Sequence, residues 1–108
     1  MKLHDIFENA QPLEQQLRAY IMGDLEFRDL PEEVQYRIAD YYRADIPYGY
    51  QTGDEGTTDE WVDDHIASIW ERAQKIAKQR GSDDAEAEQA GVQAALNELQ
   101  SAIANGGR

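Results

Sequence analysis

Cysteine is absent from this chain, which removes disulfides, thiolate catalysis and Cys-ligated zinc from consideration. Long apolar runs are missing as well. The longest, Ala19-Tyr20-Ile21-Met22, falls far short of a bilayer span. The opening residues Met1-Lys2-Leu3-His4-Asp5 lack the basic-then-apolar pattern of a secretory leader, so a soluble, cytoplasmic protein is expected. Positive charge is also scarce: 10 Lys and Arg stand against 22 Asp and Glu, a formal net charge of −12 over 108 residues. Direct binding to DNA, RNA or an anionic membrane demands clustered cations, and this balance argues against it. The length fits one domain, and 41% hydrophobic content is compatible with a core.

The shortage of cations is sharpest between Ala44 and Glu71. That stretch holds Asp45, Asp54, Glu55, Asp59, Glu60, Asp63, Asp64 and Glu71 with no Lys or Arg, and Tyr48, Tyr50, Trp61 and Trp70 sit among them. A block of like charge repels itself. It needs either plain solvation or a positively charged partner.

Along the chain, apolar spacing predicts an all-α fold of four helices in a single domain, residues 1–104, with 105–108 as a frayed tail. Leu3, Ile6 and Phe7 fall at helical spacing in a short stretch, and Asn9 or Gln11 is a candidate cap for the first full helix. Pro12 suits a first helical turn. Leu13, Leu17, Tyr20 and Ile21 make the stripe of a helix over 12–22, stopped by Gly23. Leu25 and Phe27 alternate with charges over too few residues to assign. Asp29-Leu30-Pro31-Glu32-Glu33 reads as a helix start with Asp29 as cap, and Val34, Ile38, Tyr41 and Tyr42 give a helix over 31–43. Pro47, Gly49, Gly53 and Gly56 mark a loop, with Tyr48 and Tyr50 in a short extended piece.

Thr57-Thr58-Asp59-Glu60 fits a capping box. It opens a helix of about 23 residues, roughly 35 Å long, on the stripe Val62, Ile66, Ile69, Ala73, Ile76. Lys75, Lys78 and Arg80 load its last turns ahead of Gly81. Ser82-Asp83-Asp84 caps a last helix striped by Val92, Leu96, Leu99 and Ile103. The short Gly-Ser turn forces a long antiparallel C-terminal hairpin.

Chemical constellations are sparse. His65 beside Asp63 and Asp64 invites a metal, but no Glu-x-x-His motif and no second histidine-bearing helix accompany it. Neither a calcium-loop pattern, a glycine-rich phosphate loop nor a supported Ser-His-Asp set is present. The reading is therefore non-enzymatic, with no catalytic residue, metal or cofactor assigned. Five of the six tyrosines lie between Tyr36 and Tyr50. Either they finish a core face and cover the loop base, or they form an interface, where Tyr buries area at low entropic cost. Tyr48 and Tyr50, near Asp54 and Glu55, are the interface candidates. Asp59–Asp63 and Glu60–Asp64 are like-charge i, i+4 pairs, with side chains about 5–6 Å apart at Cβ. Phosphates recur at a comparable interval, about 3.4 Å of axis per strand. Such an acidic ridge fits a groove built from Lys and Arg.

Small, acidic, cysteine-free domains of this kind resemble the anti-defence proteins of phages and plasmids, anti-CRISPR proteins and antirestriction DNA mimics among them. The run Asp40-Tyr41-Tyr42-Arg43-Ala44-Asp45-Ile46 is similar to a Tyr-Tyr-Ala-Asp-Ile stretch of the T7-type phage antirestriction proteins, with Arg43 inserted. Leu30 to Ile46 resembles the Leu-Pro-Glu…Tyr…Tyr…Arg-Asp pattern of plasmid antirestriction proteins. The Ala-rich C-terminal half departs from the heavily acidic phage type, so the likeness does not extend to a full-length mimic of bent duplex. The resemblance implies an inhibitor that competes with nucleic acid for a basic nucleic-acid-binding protein or ribonucleoprotein complex of a host. Its contacts would be Asp54, Glu55, Asp59, Glu60, Asp63 and Asp64, with Tyr48 and Tyr50 as anchors. The alternative is a helical adaptor or antitoxin-like module that pairs, with itself as a homodimer or with another helix, through the C-terminal hairpin and Leu96 and Leu99.

Overall fold

Apolar side chains recur every three or four residues through most of this chain, and helices are what form. The computed structural model describes residues 12–107. The helical spacing of Leu3, Ile6 and Phe7 and the caps expected from Asn9 or Gln11 lie outside that range. The elements are α1 (Leu13–Met22), a 3₁₀ turn (Phe27–Asp29), α2 (Glu32–Tyr41), the single-turn α3 (Tyr48–Thr52), α4 (Thr58–Gln79) and α5 (Asp84–Asn105). The fold is all-α with four main helices, and α4 and α5 form the long C-terminal hairpin. Among the described residues no helix is long and apolar enough to cross a membrane.

Local chemistry sets most of the boundaries. α1 starts on the Pro12 carbonyl, which accepts from Gln15 and Gln16. It ends at Gly23, whose φ of 87° lets Asp24 N–H reach back to the Ala19 carbonyl at 2.8 Å. That is the left-handed helix stop that a residue without Cβ makes cheaply. α4 is capped by Thr57, whose hydroxyl accepts from Glu60 N–H at 3.1 Å, half of the expected box. α5 has the full box: Asp83 accepts from Glu86 N–H at 2.8 Å, and Glu86 accepts from Asp83 N–H at 3.2 Å.

Three local expectations are corrected. Asp29 does not cap α2. It lies two residues before the Pro31 start, and its carboxylate accepts from Glu26 N–H at 2.8 Å, closing the 3₁₀ turn instead. The Leu30 carbonyl is taken up by the Gln35 amide at 2.6 Å. Residues 48–52 are a helical turn rather than an extended piece, because Pro47 and Gly53 act as its start and stop. Helix α2 ends at Tyr41, and Tyr42 to Ile46 continue as tight turns in which the Tyr42 carbonyl accepts from Asp45 and Ile46.

Helix α5 lies at the centre, packed against α1, α2 and α4. Its buried face combines Val92, Leu96 and Leu99 with the small residues Ala87, Gly91, Ala95 and Ala102. At Gly91, α4 comes close: a Cβ there would stand 2.7 Å from Trp70 Cδ1 and 2.8 Å from the Trp70 carbonyl oxygen. Leu17, Tyr20, Phe27, Leu30, Val34, Ile38, Tyr42, Ile46, Val62 and Ile66 complete the core around α5. The end of α5 and the residues just after it meet α2. Gly107 N–H donates to Asp40 at 2.8 Å, and Arg37 donates to the Ile103 carbonyl at 3.3 Å.

Candidate binding surface

Two tyrosine–carboxylate bonds position the acidic face. Tyr20 on α1 donates its hydroxyl to Asp63 on α4 at 2.6 Å, and Tyr42 donates to Glu98 on α5 at 2.5 Å. Burial, reinforced by the carboxylate each one faces, pushes both hydroxyls far above the usual tyrosine range, so both stay protonated donors. The Asp63 carboxyl is itself pushed upward, first by partial burial and then by Asp59, Asp64 and Glu26, against the opposing pull of the Tyr20 hydrogen bond. Asp63 therefore has a structural role. It is not merely one more exposed acid.

The Tyr20–Asp63 bond forms part of one wall of a groove of about 910 Å³ between α1, the 3₁₀ turn and α4. Asp59, Glu60 and Asp63 line that groove, whereas Asp54, Glu55 and Asp64 do not. Asp54 accepts from the Thr52 hydroxyl at 3.0 Å, and the Glu55 side chain lies over Gly49. Asp64 is exposed on α4 outside the groove.

The two tyrosines proposed as anchors part company. Tyr48 is 78% exposed, while Tyr50 packs against the core and closes on Gly56, where a Cβ would meet its ring at 2.8 Å and the Glu60 carboxylate at 2.9 Å. The six expected acids thus divide between the groove and the surface outside it. Half of them turn to the groove.

His65 sits in a ring cluster: it stacks on Trp61 at 5.0 Å and meets the Tyr42 edge at 4.8 Å. Its position fits an aromatic contact at the core margin.

Several groove residues were not among the contacts expected from the sequence: Glu26, Arg28, Glu71 and Glu88, and the apolar Ile21, Leu25, Ala67 and Trp70. Leu25 and Phe27 offered the one available hint, an alternation with charges too brief to assign.

The ion pairs among the described residues are Arg18–Glu14, Arg28–Glu26, Arg37–Glu33 and Lys78–Asp84. None involves an acid of the Ala44–Glu71 stretch. Its eight carboxylates have no ion-pair partner among the described residues.

No protein-family model, curated protein sequence or solved structure matches this chain.

Proposed function

We propose that this protein is a non-enzymatic, anti-CRISPR-like inhibitor that binds a basic, nucleic-acid-binding complex of a host by occupying its Lys/Arg-lined nucleic-acid site. One observation carries the reading: a run of eight carboxylates with no ion-pair partner among the described residues. Uncompensated like charge raises the energy of the isolated protein, and a cationic partner relieves it while accelerating encounter. Asp59, Glu60 and Asp64 on the first turns of α4 are exposed, and their carboxylates take no hydrogen bond among the described residues, which suits them to direct contact. Tyr48, exposed on α3, is the aromatic anchor of this reading.

The test is a pull-down from nuclease-treated bacterial lysate, washed at low and then high salt. Retention of a Lys/Arg-rich nucleic-acid-binding complex at low salt and its release at high salt is the expected result. The triple reversal Asp59→Lys, Glu60→Lys, Asp64→Lys spares the Tyr20–Asp63 bond, and it should abolish capture while circular dichroism stays that of the parent. Capture that survives the reversal overturns the proposal.

Pairing through the C-terminal hairpin has little left to use. Leu96 and Leu99 are 0% exposed within a single chain, so their apolar faces are already covered. Ile76, 41% exposed near the far end of α4, is a large apolar side chain of the hairpin that remains open among the described residues.

A further inference from the structure

The groove between α1 and α4 has two chemically different parts. Ile21, Leu25, Ile66 and Trp70 are apolar, and the first, second and fourth are only partly covered by the fold. Around them stand Glu26, Asp59, Glu60, Asp63, Glu71 and Glu88, against one cation, Arg28, which already lies 2.5 Å from Glu26. A merely solvated acidic face needs no apolar concavity, and a merely apolar pocket gains nothing from acids around it. At about 910 Å³ the space is that of a binding cleft rather than a packing defect.

Charge decides the occupant. Anions are repelled. A neutral apolar molecule would dehydrate the surrounding carboxylates without giving them a counter-charge. An oligocation with no apolar group would leave the hydrocarbon wet. Both parts are satisfied by a segment that inserts apolar side chains between the helices and sets Lys or Arg on the carboxylates. We propose that this groove docks one basic amphipathic helix of a partner protein, its apolar face on Ile21, Leu25 and Trp70 and its cations on Asp59, Glu60 and Glu71. This rests on the reading that the partner is basic, and adds where and by which chemistry it is held.

Isotope-labelled protein is titrated at low salt with two synthetic peptides of equal charge, a helical Lys/Leu peptide with leucines at i, i+3, i+4 spacing and an oligolysine. The Lys/Leu peptide should bind about tenfold more tightly, the scale of one buried Leu side chain. It should also move the Trp70 indole resonance more than that of Trp61. Ala67→Trp fills the groove from an exposed position on α4 and should reduce the Lys/Leu peptide to the level of oligolysine. Ala67→Arg should do the same by charge instead of bulk, so a folding defect in either variant does not decide the matter.

Equal binding of both peptides, untouched by either variant, overturns the groove while leaving the basic-partner reading in place. If neither peptide binds at low salt, both fall. Concentration-dependent self-association that Ala67→Trp removes would assign the groove to a second copy of the chain, and would overturn the basic helix as its occupant.

Discussion

The two halves of α4 run on one apolar spacing and end up in different surroundings. In the first half, Val62 and Ile66 are buried against the rest of the molecule, and the exposed side of the helix is acidic. In the second half Ile69 and Ala73 are half-covered, Ile76 is 41% exposed, and Arg72, Lys75 and Lys78 dominate the surface. The difference lies in what packs against each half. α1, the 3₁₀ turn and α3 gather around the start of α4, whereas α5 provides most of the cover further along. Periodicity marks a face that can be buried. It does not say how much of the face a partner element reaches.

The widest separation between the two regimes should appear on truncating one side chain from each. Leu96→Ala empties a site that is 0% exposed and should cost about 2–5 kcal/mol in urea unfolding. Ile76→Ala should stay within about 0.5 kcal/mol, as most exposed substitutions do. Comparable losses at both sites would mean that the end of the hairpin is covered in solution, for instance by a second chain.

Gly91→Ala probes the hairpin between those limits. The added methyl meets Trp70 Cδ1 at 2.7 Å and its carbonyl oxygen at 2.8 Å, and backbone yields less readily than a side-chain tip. Overpacking of about 1–3 kcal/mol is expected. Better helix propensity offsets up to about 1 kcal/mol of it. A net gain in melting temperature would show that α4 and α5 are less closely held at this crossing. The same contact bears on the Trp70 indole N–H, which is buried and has no hydrogen-bond acceptor among the described residues.

Smaller again are the helix starts. Asp83→Ala combined with Glu86→Ala breaks both bonds of a reciprocal box, since the Asp83 N–H donates to the Glu86 side chain; Thr57→Ala breaks the single one at its helix. Each should cost about 0.5–2 kcal/mol, with the double variant the larger. Equal values would mean that Glu86 reaching back to Asp83 adds nothing measurable.

The same contrast between local and tertiary causes separates what could be read from the sequence from what could not. Gly23, Thr57 and Asp83 announce helix ends because each acts on backbone within a few residues of itself. The four main helices and the hairpin follow from such signals together with the spacing of Leu17, Val34, Val62 and Leu96. Asp29 misled because a capping carboxylate serves whichever backbone N–H is nearest, and the 3₁₀ turn offered Glu26. Pro47 and Gly53 read as loop punctuation although the same pair can bracket one helical turn. The groove was out of reach for a different reason. Its walls come from residues near Tyr20 and near Asp63, 43 positions apart, and apolar spacing says nothing about which acids will stand across from Ile21 and Leu25. The acidic stretch was visible as composition, but its division into groove-lining Asp59, Glu60 and Asp63 and outward Asp54, Glu55 and Asp64 is a tertiary fact.

The smallest effect separates Asp63 from its neighbours by pH. Its carboxyl is held above the ordinary carboxylate range chiefly by burial, so the folded protein keeps that proton to a higher pH than the unfolded chain does. In the window between the two values the folded state binds more protons, and stability therefore falls as pH rises through it. Below the window this contribution is fully present, and above it is gone. Asp63→Asn has no proton to lose and keeps an oxygen acceptor for the Tyr20 hydroxyl, so its stability curve should be flatter there than that of the parent. Asp64→Asn serves as the comparison. It removes the same formal charge next door, and so relieves general self-repulsion without touching the Tyr20–Asp63 pair. Tyr20→Phe should move the window upward, since the hydrogen bond it deletes opposes the shift. Urea unfolding from about pH 3 to about pH 7 spans the ordinary and raised carboxylate ranges. If Asp63→Asn and Asp64→Asn flatten the curve equally, the slope belongs to the net charge of the acidic face and the Tyr20–Asp63 pair has no separate titration to report.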